Sequence, residues 1–198
     1  MSDPRHSTLR PPTLAEFCEI AGLEESARKL LRREHGPREF IAALVEVGAY
    51  ADAVRLLAHA LPRREAIWWA WSCARRAAGD APPPEIRVAL DLAEQWLLCP
   101  GEENRRAAMP AAEAAAIGTP AGCVALAIFL SGGSIAPAGL APVEAEPYAA
   151  AKAIAGGVIL AAVSDAPGEA DERFRAAVDL GMQVVDRIQL WPAESPGN

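Results

Sequence analysis

The chain has 198 residues, 52% of them hydrophobic, and a formal charge of -7. That length suits one domain with a full core. The acidic balance argues against a general nucleic-acid binder, which needs a basic surface. Alanine dominates and β-branched residues are scarce, so helix is favoured over sheet.

Residues 1–12 carry Pro4, Pro11 and Pro12 and read as a loose tail. Met1-Ser2-Asp3-Pro4 has no apolar run behind it, so no signal peptide is expected. Thr13 and Glu16 have capping-box spacing and predict a short helix carrying Phe17 and Ile20. A second helix is expected over 24–34, and a third over 38–47, where Gly48 stops it. Residues 50–61 repeat apolar side chains at helical spacing, and Pro62 ends them. The segment Gly48-Ala49-Tyr50 through Leu61-Pro62 resembles the second half of a tetratricopeptide repeat, but no second copy follows at that family's period. An ordinary helical hairpin explains it equally well.

The next helix, 63–79, holds three of the five tryptophans. At about 100° per residue, Trp68 and Trp71 lie roughly 60° apart and share a face, whereas Trp69 lies roughly 160° from Trp71. One flat core cannot cover all three rings. Either the indoles fill gaps between neighbouring helices, or Trp68, Trp69, Trp71 and Arg75 line or support a partner-binding face, with Arg75 placed to stack on Trp71.

Asp80 to Pro84 is a stiff break and the candidate lobe boundary. Helices are then expected from about Ile86 to Pro100-Gly101, over 102–116 and over 120–131, the last with Thr119 as N-cap and Pro120 in the first turn. It runs into Ser131-Gly132-Gly133-Ser134. These glycines follow a helix with no lysine near, so a helix C-cap and tight turn is a better reading than a phosphate loop. A loop over 135–147, a helix opened by Pro147 and running through Val163, a turn at Asp165–Glu169 and a last helix over 168–189 complete the pattern, with a second tail at 191–198.

From Ala114 to Val143 there is no charge, yet Pro120, Pro137, Pro142 and Gly132-Gly133 interrupt a run that would need about 20 continuous apolar residues to span a bilayer. Two short helices apolar all round instead predict a buried central pair. Cys18, Cys73, Cys99 and Cys123 are far apart and read as reduced thiols of a cytoplasmic protein. His6, His35 and His59 have no second ligand at i+3 or i+4, so no metal site is expected. No cofactor is implied either. The fold expected is all-α, an irregular multi-helix bundle or short α-solenoid of about nine or ten helices, with one domain over 13–190.

Leu61-Pro62-Arg63-Arg64-Glu65-Ala66-Ile67-Trp68-Trp69-Ala70, then Cys73-Ala74-Arg75, then Ala89-Leu90 through Trp96, then Phe129-Leu130-Ser131-Gly132-Gly133-Ser134, resemble an uncharacterised bacterial family of helical proteins over about 61–165. The resemblance implies an accessory role beside type VI secretion and transfers no catalytic residue. The expected function is a non-enzymatic adaptor or chaperone that binds another protein, such as a secreted effector or secretion component. An immunity protein that neutralises a toxin is one alternative. A small-molecule binder or enzyme with a pocket beside Ser131–Ser134 is another.

Overall fold

The computed structural model describes residues 12–137, 139–164 and 167–191. Most of the two expected tails, His6 and Asp165 fall outside them. Ten α-helices and one 3₁₀ turn (Pro167–Glu169) make up the regular structure of the described residues, and the extended pairing found there is an isolated bridge between Ser134 and Glu144. The protein is all-α.

Helix α1 (Leu14–Ile20) starts at the expected capping box. Thr13 Oγ1 accepts the Glu16 N–H at 3.3 Å, and Glu16 Oε2 accepts the Thr13 N–H at 2.8 Å. Helix α2 is far shorter than expected and covers Glu25–Arg28 alone. Its continuation is diverted locally: the Leu30 and Leu31 N–H groups bond three residues back, and the Arg32 N–H donates to His35 Nδ1 at 3.3 Å. A side chain that takes a backbone N–H competes with the helix for it.

Helices α3 (Pro37–Glu46) and α4 (Tyr50–Ala60) form the hairpin read from the tetratricopeptide-like segment. It is not part of a solenoid. In a solenoid each unit touches only its chain neighbours, but α4 packs on α9 and α10, far along the chain. Tyr50 stacks on Phe174 with ring centroids 5.7 Å apart, and Asp52, buried, accepts the Glu24 N–H at 3.0 Å.

Helices α5 (Arg63–Ala78), α6 (Pro84–Leu98) and α7 (Glu102–Ala114) follow. The stiff stretch 79–83 joins α5 to α6 inside one assembly, since α6 packs on α5, α7 and α8. Helices α8 (Pro120–Phe129) and α9 (Ala149–Val163) are the central pair, packed on each other and surrounded by α4, α5, α6, α7 and α10. Small residues let them approach closely: a Cβ on Gly157 would lie 3.1 Å from Cys123 Cβ. Among the described residues no helix is long and apolar enough to cross a membrane.

Pro147 does not open α9. The helix begins at Ala149 behind Tyr148, whose φ of 64° is left-handed, so the chain turns sharply at Tyr148 before the helix can start. Helix α10 (Ala170–Arg187) closes the bundle. Trp191, expected in the tail, is tied down: its carbonyl accepts from Arg38 Nη2 at 2.9 Å, and Arg38 also pairs with Asp186 at 2.6 Å. The cysteines divide: Cys18 and Cys123 are buried, Cys73 half-buried, and Cys99 exposed just past the end of α6, outside any apolar face.

Candidate partner-binding groove and glycine turn

The three indoles of α5 have different fates. Trp69 is fully buried, and its Nε1 donates to the Ala177 carbonyl of α10 at 2.8 Å. Gly181 of α10 lies flat against this ring: a Cβ there would meet Trp69 Cε2 at 3.1 Å and Leu57 Cδ1 at 3.0 Å. The expectation that Trp69 lines a partner surface is therefore corrected. It points into the core, roughly opposite Trp71 around the helix, and locks α5 to α10.

Trp68 and Trp71 do share a face, as their spacing requires. Both line an open groove of about 640 Å³ between α5, α6 and α10. Trp71 is half-buried and its Nε1 donates to the Leu90 carbonyl at 3.0 Å, which fixes the ring against α6. Trp68 keeps 36% of its surface exposed, and Leu98, also lining the groove, keeps 77%. Leu180, Val184 and Ile188 of the α10 side add apolar wall, while Arg64, Glu65, Glu94 and Arg187 make a rim of mixed charge. Arg64 is held in place by donating from Nε and Nη2 to the Leu97 carbonyl at 3.1 and 2.5 Å.

Arg75 is exposed and does not stack on Trp71. The cation–π contacts among the described residues are Arg105 over Phe129 and Arg175 over Tyr50. Nor does Arg75 belong to the groove wall, because Arg64 and Arg187 supply the basic groups there.

The Ser131-Gly132-Gly133-Ser134 turn ends α8, as the C-cap reading has it, and Gly133 supplies the left-handed residue with φ of 61°. Its carbonyls face arginines. Arg105, only 4% exposed, donates to the Phe129 carbonyl, to the Ser134 carbonyl at 2.9 Å and to both oxygens of Glu102 at 2.7 and 2.8 Å. Arg106 adds bonds to Ser134 O at 3.1 Å and Ala136 O at 2.9 Å, and Arg63 donates to Ser131 O. Cations at the C-terminal end of α8 complement its dipole. Hydrogen bonds from Arg105 first, and from Arg106, hold the Glu102 carboxyl down at about 2. The turn's carbonyls point at guanidinium groups, the reverse of an anion cradle, in which backbone N–H groups converge. This knot escaped the sequence reading, although Glu102 with Arg105 and Arg106 at i+3 and i+4 was the visible signal.

Burial pushes the Cys18 thiol up to about 11 and the Cys73 thiol to about 12, and raises Cys123 as well. These thiols are poor nucleophiles. Among the described residues no group of three or more His, Cys, Asp or Glu side chains stands where it could hold a metal ion.

Fold and surface together define an all-α bundle around a buried apolar helix pair, with an open tryptophan-lined groove on one side. The chain belongs to a family of unknown function (DUF6931), whose model matches residues 40–185. That span starts in α3 and ends in α10, and it includes the Trp helix, the glycine turn and the central pair. No curated protein and no solved structure matches the chain.

Proposed function

We propose that this protein is a non-enzymatic adaptor or chaperone that binds an amphipathic segment of another protein in the groove between α5, α6 and α10. The observation that carries this reading is the pairing of Trp68, 36% exposed, with Leu98, 77% exposed, in one open groove. Apolar side chains left uncovered in a concave, charge-rimmed surface favour helix-in-groove recognition, with aromatic anchors supplying most of the energy. Elsewhere Trp69 and Trp96 are buried, so the exposure at Trp68 does not follow from the bundle lacking room for indoles. The four free thiols support a reducing cytoplasmic setting. The resemblance to proteins beside type VI secretion genes suggests a secretion component or effector as the partner, and a toxic effector would make the protein an immunity factor.

The test is affinity purification of the tagged protein from its own bacterium with quantitative mass spectrometry, run in parallel on wild type, Trp68→Ala and Leu98→Glu. One partner recovered in stoichiometric amount with wild type, and lost with both variants while their melting temperatures hold, supports the groove. Equal recovery with all three moves the binding face elsewhere. Wild type recovered alone ends the stable-adaptor reading.

A further inference from the structure

A second cleft, of about 670 Å³, opens on the glycine-turn side, between the end of α4, the start of α5, the Gly132–Ser134 turn and the Glu144–Tyr148 loop. Its size is that of a small-molecule site, typically about 300–1,000 Å³. His59 of α4 lines it. The ring's Nδ1 lies 2.8 Å from the Arg55 carbonyl. A carbonyl only accepts, so Nδ1 carries the proton, and the neutral ring leaves Nε2 as a bare lone pair. Nε2 is closed off from solvent and has no hydrogen-bond partner among the described residues. Buried polar atoms are nearly always paired, so an orphaned one calls for a missing group. Burial above all, with Lys152 nearby, depresses the His59 pKa and keeps that lone pair free at neutral pH.

The surroundings restrict what could donate to it. The Tyr148 ring stands 5.7 Å from the imidazole, tilted by 37°. Tyr148 is 45% exposed, so its side chain can swing without opening the core. Lys152 stands close enough to His59 to disfavour a cationic donor beside the ring, and Glu144 and Glu146 in the lining disfavour an anion. Arg63 is already committed to the Ser131 carbonyl. We propose that, once the Tyr148 ring swings aside from the imidazole, this cleft binds a small, uncharged, planar molecule bearing an N–H donor, a carboxamide or nitrogen heteroaromatic, which donates to His59 Nε2 and stacks on the displaced Tyr148 ring. The site is separate from the tryptophan groove and stands whether or not a protein docks there.

The probe is benzamide, with N,N-dimethylbenzamide as the donor-free control and benzoate as the anion control, titrated into the full chain carrying ¹⁵N-labelled histidine. Benzamide is expected to saturate with a Kd on the order of 1 mM, to move the His59 Nε2 resonance, and to bind about fivefold to tenfold tighter than the dimethyl amide or benzoate. His59→Phe, which keeps the ring's shape, and Tyr148→Ala should each weaken it, while Leu98→Glu should not. Equal binding of the two amides, a stationary Nε2 resonance at saturation, or no saturable benzamide binding overturns the assignment.

Discussion

Truncating Trp69 tests the division of the tryptophans between core and surface. An indole of this kind buries roughly 150–250 Å². At about 25 cal/mol per Å² that is roughly 4–6 kcal/mol of transfer free energy, and measured losses for large aromatic truncations cluster at about 3–5 kcal/mol. Trp69 is wholly enclosed, contacts Gly181 and sits in Leu57's immediate neighbourhood, so little can collapse into the space it leaves. Trp69→Ala should therefore cost about 4 kcal/mol and also lose the bond to Ala177 O. Trp68 begins partly exposed, and water fills what it vacates, so Trp68→Ala should cost only about 1–2 kcal/mol. Urea unfolding followed by far-ultraviolet circular dichroism measures both, with the slope of the transition checked for change. A Trp68→Ala loss equal to or larger than that of Trp69→Ala would refute the reasoning, because the exposed ring would then be the structural one.

Gly122→Ala should destabilise by about 2 kcal/mol or more, since a Cβ there would lie 2.1 Å from the Ala116 carbonyl oxygen; thermal unfolding of the variant decides it. Arg105→Met should cost about 2–3 kcal/mol in the same assay by leaving the Phe129 carbonyl without its arginine and loosening the 131–134 turn. The Glu102 carboxyl is held below its ordinary 4.5, at about 2, so its ionised form favours the folded state. The stability difference between wild type and Glu102→Gln should be complete above pH 4.5 and vanish as pH falls towards 2. His59 is depressed below 6.5 by burial, so the unfolded chain takes up a proton before the folded one does. Wild type should lose stability as pH falls below 6.5, with a shallower slope in His59→Phe, and a histidine NMR titration should place the folded pKa below that value.

Periodicity and punctuation made most of the helices legible. Thr13 with Glu16, Thr119 before Pro120, and the break before Pro84 are local chemistry, and the structure uses each where the chain places it. Where an end depended on something distant or on a competing bond, the reading slipped. Helix α2 stops early because backbone N–H groups beyond Arg28 find other partners, and α9 starts after Tyr148 because that residue turns left-handed. The apolar character of residues 120–130 and 153–163 marked the central pair correctly, because a helix without a polar side has to be enclosed.

Angular spacing alone put Trp68 and Trp71 on one face and Trp69 on another, since 3.6 residues per turn is a property of any helix. Which face meets the core is a different question, settled by the approach of α10. Gly181 has no side chain to hold the two helices apart, so α10 closes over Trp69, while nothing among the described residues closes over Trp68 and Leu98. The same holds for His59. Its place on α4 was plain from the sequence, but its orphaned nitrogen exists only because Arg55 takes one side of the ring and the packed surroundings shut water from the other. Local sequence chemistry determines helices and faces because those forces act within a few residues. Burial and pairing are sums over neighbours far away in the chain, and only the folded arrangement sets them.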